Sequence, residues 1–264
     1  MRVDETTEPE QLRSNGIIRM EQLAPKASLG PTQLEPVSGR LTIGGTVYQQ
    51  LRQALMSGSF MPGQVMTIDF LARTFQTSHM PVREATRRLV AEEALELAPN
   101  GSTRVPNVSV DRLDDIYRNR MVIEGSAVSR AIAVVRPLDL EQIEQLVREH
   151  NAMSERGQVY EMLQKNQELH FTIYRLSRSP ITMQIIASLW LRHGPYMRLL
   201  SWHCEEHSKH GISMPTSHHH WQLLEAIRAR DNSAAVAELQ ADISGSHELL
   251  KDLCRDHNAR NKGS

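Results

Sequence analysis

Three groupings of side chains in this sequence are spaced for chemistry. In SHMPVREATRRLV, residues 78–90, His79, Arg83 and Arg87 recur every four residues, which on a helix lines them along one face. Guanidinium groups placed this way suit forked contacts with phosphate or guanine, although a plain solvated surface carries such a stripe equally well. Arg120 and Glu124 also stand four apart, in a stripe that otherwise carries Leu113, Tyr117, Ala127 and Ala131. A charge on an apolar face has to be paired or used. The pair is therefore an internal salt bridge, or an arginine that also reaches into a pocket to hold an anion. The third grouping is rich in histidine. His170 follows Asn166 by one turn, so the two point the same way, and SHHHW at 217–221 invites a metal-tract reading. Adjacent helical residues diverge, so at most one of His218, His219 and His220 serves a shared site. His220 and Asp242 each lie eleven residues from Asp231, the turn in RARDNS. Two antiparallel helices folding back there bring both side chains to one level.

The elements that must position these groups can be read from periodicity. In TVYQQLRQALMSG, Val47, Leu51 and Leu55 recur every four residues and Gly58 stops the helix. SFMPG reads as a turn. Ile68, Leu71, Ala72 and Phe75 mark a second short helix, QTSHM a tight connector, and Val82, Ala85, Thr86 and Leu89 a third helix with Pro81 expected at its first position. LELAPNGSTRVPNV then gives two extended pieces around Asn100-Gly101, a hairpin-turn signal. Three short helices followed by a hairpin are the parts of a winged helix-turn-helix, in which the third helix enters the major groove. From Val110 the character changes. A long amphipathic helix ends before Pro137, and helical patterns follow at roughly 139–156, 158–177, 181–203, 216–230 and 232–255. The expected fold is mainly α: the winged unit over 39–107, then an antiparallel helical bundle over 108–256 with pockets between facing helices. Residues 1–38 are polar and aperiodic and read as a flexible arm, and 257–264 as a tail.

Composition limits what the chain can do. The formal net charge is −1, which argues against nucleic acid only if the charge is even. It is not: residues 40–105 carry seven arginines against five acids, and residues 1–39 four bases against six acids. Two cysteines, Cys204 and Cys254, fit a reducing compartment better than a disulfide framework. No basic segment leads into an apolar run at the N-terminus, and the longest apolar stretch, 185–191, is far too short to span a bilayer. A soluble, cytoplasmic, non-membrane protein is expected.

The stretch from VYQQLRQALMSG to APNGSTRV resembles the DNA-binding domain of GntR-family bacterial regulators, on the strength of MPG, PVREA with RRL, and the Asn-Gly wing. The helical half resembles the FCD effector domain of the FadR branch, through RMVIE, NQELHFTIYRLSRSP and HWQLLEAIRARDNSAAV. The resemblance implies a transcriptional regulator, more often a repressor, that binds a palindromic double-stranded DNA operator as a homodimer. It places Thr77, Ser78, His79, Arg83, Arg87, Gly101 and Arg104 at the DNA. The chain departs from the family pattern at Asp69 and His79, where arginine is usual.

In the helical domain the resemblance implies a small carboxylic-acid effector, with Arg120, Glu124 and Tyr196 as binding residues. It also implies a divalent metal site, whose usual Asp, His, His, His set falls here on Asn166, His170, His220 and Asp242. The usual set carries one carboxylate, and so does this one, moved to the last helix. Two imidazoles with oxygens suit Zn, Ni or Mn. Two rival expectations are a metal-dependent hydrolase on the bundle and a regulator whose effector domain only dimerises. The hydrolase needs a general base beside the metal, and Glu168 lies on the wrong helix face to supply it easily.

Overall fold

The computed structural model describes residues 43–98, 102–209 and 218–262. The arm at 1–38, the Asn100-Gly101 turn and its Gly101 contact lie outside the described residues. The chain opens with α1 (Ile43–Met56), which buries Val47, Tyr48, Leu51 and Leu55 on one face. It ends at Gly58, whose backbone is left-handed at φ +70° and favours glycine. Next come β1 (Val65–Met66), α2 (Ile68–Thr74) and α3 (His79–Ala91). Thr67 caps α2 by accepting the Phe70 N–H at 3.1 Å. In α3, Val82, Ala85 and Leu89 are fully buried against α1 and α2, so the apolar spacing read from the sequence matches the packing. Pro81 is not at the first helical position. The N-cap is Ser78, which makes Pro81 the third residue. The missing N–H costs nothing there either, because the first four amides of a helix lack intrahelical partners.

The wing is built from β2 (Glu96–Leu97) and β3 (Thr103–Arg104), antiparallel with Leu97 opposite Thr103. A third strand joins it: β1 pairs with the other edge of β3, Val65 opposite Arg104, giving the order β1-β3-β2. Two residues are too few to show alternation, so periodicity missed β1. Thr103 ties the layer to the domain by donating its hydroxyl to the Met66 carbonyl at 3.0 Å.

The second half is the expected helical bundle: α4 (Val110–Val134), α5 (Pro137–Glu155), α6 (Val159–Arg175), α7 (Pro180–Lys209), α8 (His218–Arg228) and α9 (Asn232–Lys262). Ser109 caps α4, and Pro137 is the first residue of α5. The expected tail at 257–264 is corrected in part, because α9 continues through it to Lys262. The α8–α9 turn is fastened at both ends. Asp231 accepts from the Ala234 amide at 3.0 Å, and Arg230 donates to the carbonyls of Ile132 and Val135 at 2.7 and 2.9 Å. That anchors the hinge of the α8–α9 pair to the end of α4.

The two halves meet at α7. A Cβ on Gly194 would run into the Leu55 carbonyl oxygen of α1, and one on Gly58 would lie 2.7 Å from the Arg198 amide nitrogen. Gln53 to Gln167 at 2.7 Å and Arg192 to Glu93 at 3.2 Å flank this contact. Gly194→Ala should therefore cost about 1–3 kcal/mol through overpacking against backbone. Circular dichroism melting should show this as a midpoint lowered by a few degrees, and an unchanged midpoint would mean that the two halves do not rest on each other in solution.

Candidate functional site

The first surface is the outer face of α3. His79, Arg83 and Arg87 are exposed, as their spacing required, with Ser78 exposed and Thr77 half-buried just before them. The two departures from the family pattern turn out to be neighbours: His79 Nε2 lies 3.0 Å from Asp69 Oδ1 on α2. Arg104, on the wing, is held by the Glu96 carboxylate across the strand pair at 3.1 Å, so a phosphate would have to compete for it. Arg88 belongs to the fold instead. Its guanidinium stacks 3.7 Å from the Tyr48 ring centre, and Tyr48 donates to Glu92 at 2.6 Å.

The second site is a cavity of about 480 Å³ inside the helical half. Arg120 enters it from α4, Asn166 and His170 from α6, Trp190 and His193 from α7, His220 from α8 and Asp242 from α9. Met162, Leu163, Met197, Leu200 and Leu249 make an apolar wall. The fold-back at Asp231 does bring its two equidistant residues together. Asp242 Oδ1 lies 3.4 Å from His220 Nε2, and Asp242 Oδ2 lies 3.2 Å from His170 Nε2. One ligand atom from each of the three residues falls within 4.8 Å of the others.

This donor set fits a divalent cation. Bonds of about 2.0–2.2 Å around a tetrahedral or octahedral ion leave neighbouring ligand atoms about 3.0–3.5 Å apart, and each imidazole here stands at such a distance from one Asp242 oxygen. Both imidazoles are 1% exposed, and neither ring nitrogen of His220 makes a hydrogen bond. Burial, reinforced by His170, His150 and His219 and opposed by Asp242, holds His220 down to about 3. Its ring is thus neutral and offers a lone pair. Asn166 lines the same cavity one turn from His170. Of the SHHHW histidines only His220 is buried, and His219 pairs with Glu238 at 2.9 Å.

Behind Arg120 lies a charged layer. Glu124, wholly buried, accepts from Arg120 Nε at 2.6 Å, Arg120 Nη2 at 3.3 Å, Trp190 Nε1 at 3.0 Å and the Tyr174 hydroxyl at 2.5 Å. Burial disfavours the Arg120 charge, but Glu124 outweighs it and its pKa is raised. Arg120 is salt-bridged and also lines the cavity. Glu124 does not reach the cavity wall, because it is spent on its donors. Tyr196 does not either. Its hydroxyl donates to the Ser109 carbonyl at 2.9 Å and accepts the Ser109 amide at 3.1 Å, at the N-cap of α4. These two placements correct the expectation of direct effector contacts. Glu168 is exposed and paired with Lys165 at 2.9 Å, away from the cavity.

Sequence reasoning assigned four residues of this region to no site, although His193 stood among its candidate histidines. Tyr174 could have been found, since Asn166, His170 and Tyr174 continue one i, i+4, i+8 face. Trp190 carries no such signal, because it belongs to another helix. His193 is buried, and burial together with Arg120 and His247 pushes its pKa well down. His150, on α5, stands edge-on to His220 with ring centres 4.7 Å apart, and burial lowers it too.

Comparison with known proteins agrees with both halves. The family model for bacterial regulatory proteins of the gntR family matches residues 43–105, and that for the FCD domain matches residues 115–245. The HTH-type transcriptional regulator McbR of Escherichia coli (strain K12) is 34% identical over 154 residues, covering 58% of this chain and 70% of that protein. Its solved structure, E. coli McbR/YncC, superposes with a TM-score of 0.72 at 28% identity over 81% of this chain and 99% of the other. The Nta operon transcriptional regulator of Aminobacter aminovorans is 28% identical over 221 residues, 79% of this chain and 97% of that one. With a three-helix winged unit that presents α3, and an all-helical domain built around a histidine-lined cavity, the chain belongs to the GntR family of bacterial transcriptional regulators, in its FCD-domain branch.

Proposed function

We propose that the chain is a ligand-switched repressor that binds a palindromic operator as a homodimer. In this reading α3 enters the major groove with Arg83 on base edges, while His79, Arg87 and Arg104 attend the backbone. Thr77, Ser78 and Gly101 complete the contact surface. A divalent ion, Zn, Ni or Mn, would be held by His170, His220 and Asp242 with the Asn166 carbonyl, and would supply a Lewis-acid centre for an anionic ligand. A small carboxylate would lie between that centre and Arg120, its carbon skeleton against Met162, Leu163 and Met197.

One observation carries the switch: α7 serves both halves. Trp190 and His193 line the cavity, and one residue further on Gly194 seats the end of α1. Pro195 lies inside the continuous helix at that place and lacks a backbone donor where the two contacts meet. A ligand that moves the cavity face of α7 therefore acts on the seat of the DNA-binding half, which is the differential contact that allosteric coupling needs. The hydrolase alternative is disfavoured by Glu168, the acid nearest the site in sequence, which is turned outward and ion-paired.

Three outcomes test this. With operators selected from random DNA, Arg83→Ala should lose about 1–3 kcal/mol of discrimination at one base pair of each half-site. Arg87→Ala should weaken binding evenly across sequences and lower the slope of log K against log salt by about one, as the removal of a single phosphate partner does. Unchanged selection with Arg83→Ala would remove α3 from the groove. Metal analysis of protein purified without chelator should find one Zn, Ni or Mn per chain, absent from His220→Ala. No bound metal, and no thermal stabilisation on adding these ions, would leave a polar pocket and no ion. In a thermal-shift screen of organic acids, Arg120→Ala should abolish the response that the unaltered chain gives while operator binding persists. Global unfolding of that variant would instead mark the Arg120–Glu124 pair as structural, since breaking a buried pair typically costs about 3–5 kcal/mol.

A further inference from the structure

The hydrogen bond between Tyr174 and Glu124 fixes the place of a proton two groups away. Glu124 Oε2 and the Tyr174 hydroxyl oxygen are 2.5 Å apart. Glu124 also takes both forks of Arg120 and the Trp190 indole N–H, so it is an ionised carboxylate and has no proton to give. The proton in that short contact must be the phenol's own. Having spent its hydrogen on Glu124, the phenol oxygen can only accept from its second neighbour, His170 Nδ1, at 3.1 Å. His170 Nδ1 therefore carries hydrogen. Nε2 is then the nitrogen left for an ion, and it is the atom that faces Asp242 at 3.2 Å. Tyr174 is fully buried and His170 nearly so, which leaves no solvent to rearrange this chain of donors.

We infer that Tyr174 is a positioning residue for the metal site: held by Glu124, it fixes the tautomer and ring orientation of His170 so that Nε2 points into the His170–His220–Asp242 cluster as a ligand. This rests on the reading of that cluster as a metal site. Ligating histidines are characteristically held through their other nitrogen, and the partner that holds them is worth about 10–100-fold in metal affinity. The arrangement here has a further consequence. Arg120 and Tyr174 share one carboxylate, so a carboxylate ligand that draws Arg120 away from Glu124 strengthens the pull of Glu124 on the phenol. Anion binding at Arg120 and ion binding at His170 are then coupled through two hydrogen bonds, and by linkage the coupling is reciprocal.

Two measurements on the full chain decide this. The first needs no metal: ring 15N shifts of histidine-labelled, zinc-free protein, with the His170 signals assigned by their loss in His170→Gln. Hydrogen on Nδ1 is expected for the unaltered chain, whether or not Nε2 also carries one beside Asp242, and a ring with hydrogen on Nε2 alone overturns the inference. The second is zinc affinity measured by competition with a chromophoric chelator. Tyr174→Phe, which removes one oxygen and keeps the ring, should bind zinc about 10–100-fold more weakly than the unaltered chain. A folded Tyr174→Phe protein that binds zinc as tightly as the unaltered chain overturns the inference and leaves the metal site standing. An unaltered chain that takes up no zinc overturns the metal reading and this role with it. Should Tyr174→Phe fail to fold, the tautomer of the unaltered chain still decides.

Discussion

A carboxylate with no access to water sits at the centre of the helical half. Ionised groups are removed from water only at a cost of several kcal/mol each, which good geometry and further hydrogen bonds must offset. Glu124 meets that cost with donors from three helices: Arg120 from its own turn of α4, Tyr174 from α6 and Trp190 from α7. Each donor has a second task. Arg120 lines the cavity, Tyr174 holds His170, and Trp190 stands one turn from the glycine that seats the DNA-binding half. The satisfaction of one buried charge thus sets the relative positions of the elements that function requires, and none of the three can shift without leaving the charge underpaired.

The placement of α7 follows from that constraint. Its cavity-facing residues are fixed by Glu124 and by packing, and its other side carries Gly194, where any side chain would strike α1. At Gly194 and Gly58 the halves meet on backbone, where neither glycine has a side chain to absorb movement. Close-packed contacts of this kind transmit displacement because they cannot deform continuously. Tyr196 has a related part: by pairing with both backbone groups of Ser109 it secures the start of α4 to α7, where the chain passes from the winged unit into the bundle.

At the outer face of the winged unit, two exposed side chains that depart from the family pattern answer one another. Asp69 would repel phosphate if left alone, and His79 is a weaker cation than arginine. Together, 3.0 Å apart, they form a link between α2 and α3. The Arg83 and Arg87 stripe stays exposed beside them. Arg104 is engaged by Glu96 in a partly exposed pair, of the kind worth roughly 0–1 kcal/mol.

Local rules were enough for much of this. Helix period placed Val82, Ala85 and Leu89 inside and His79, Arg83 and Arg87 outside, because one helix face is decided by residues three and four apart. The same rule put Asn166 and His170 together, and counting from Asp231 put His220 level with Asp242. Boundaries were less secure: Pro81 tolerates any of the first helical positions, so its presence did not say which, and a two-residue strand such as β1 has no period to read. The tertiary structure alone decided what meets across helices. No spacing rule connects Glu124 to Trp190, sixty-six residues away, or brings His150 beside His220. Nor could the sequence say that Glu124 and Tyr196, both on elements that border the cavity, turn away from it. Periodicity tells which face of a helix is apolar, and only packing tells which neighbour that face meets and where the buried polar atoms find their partners.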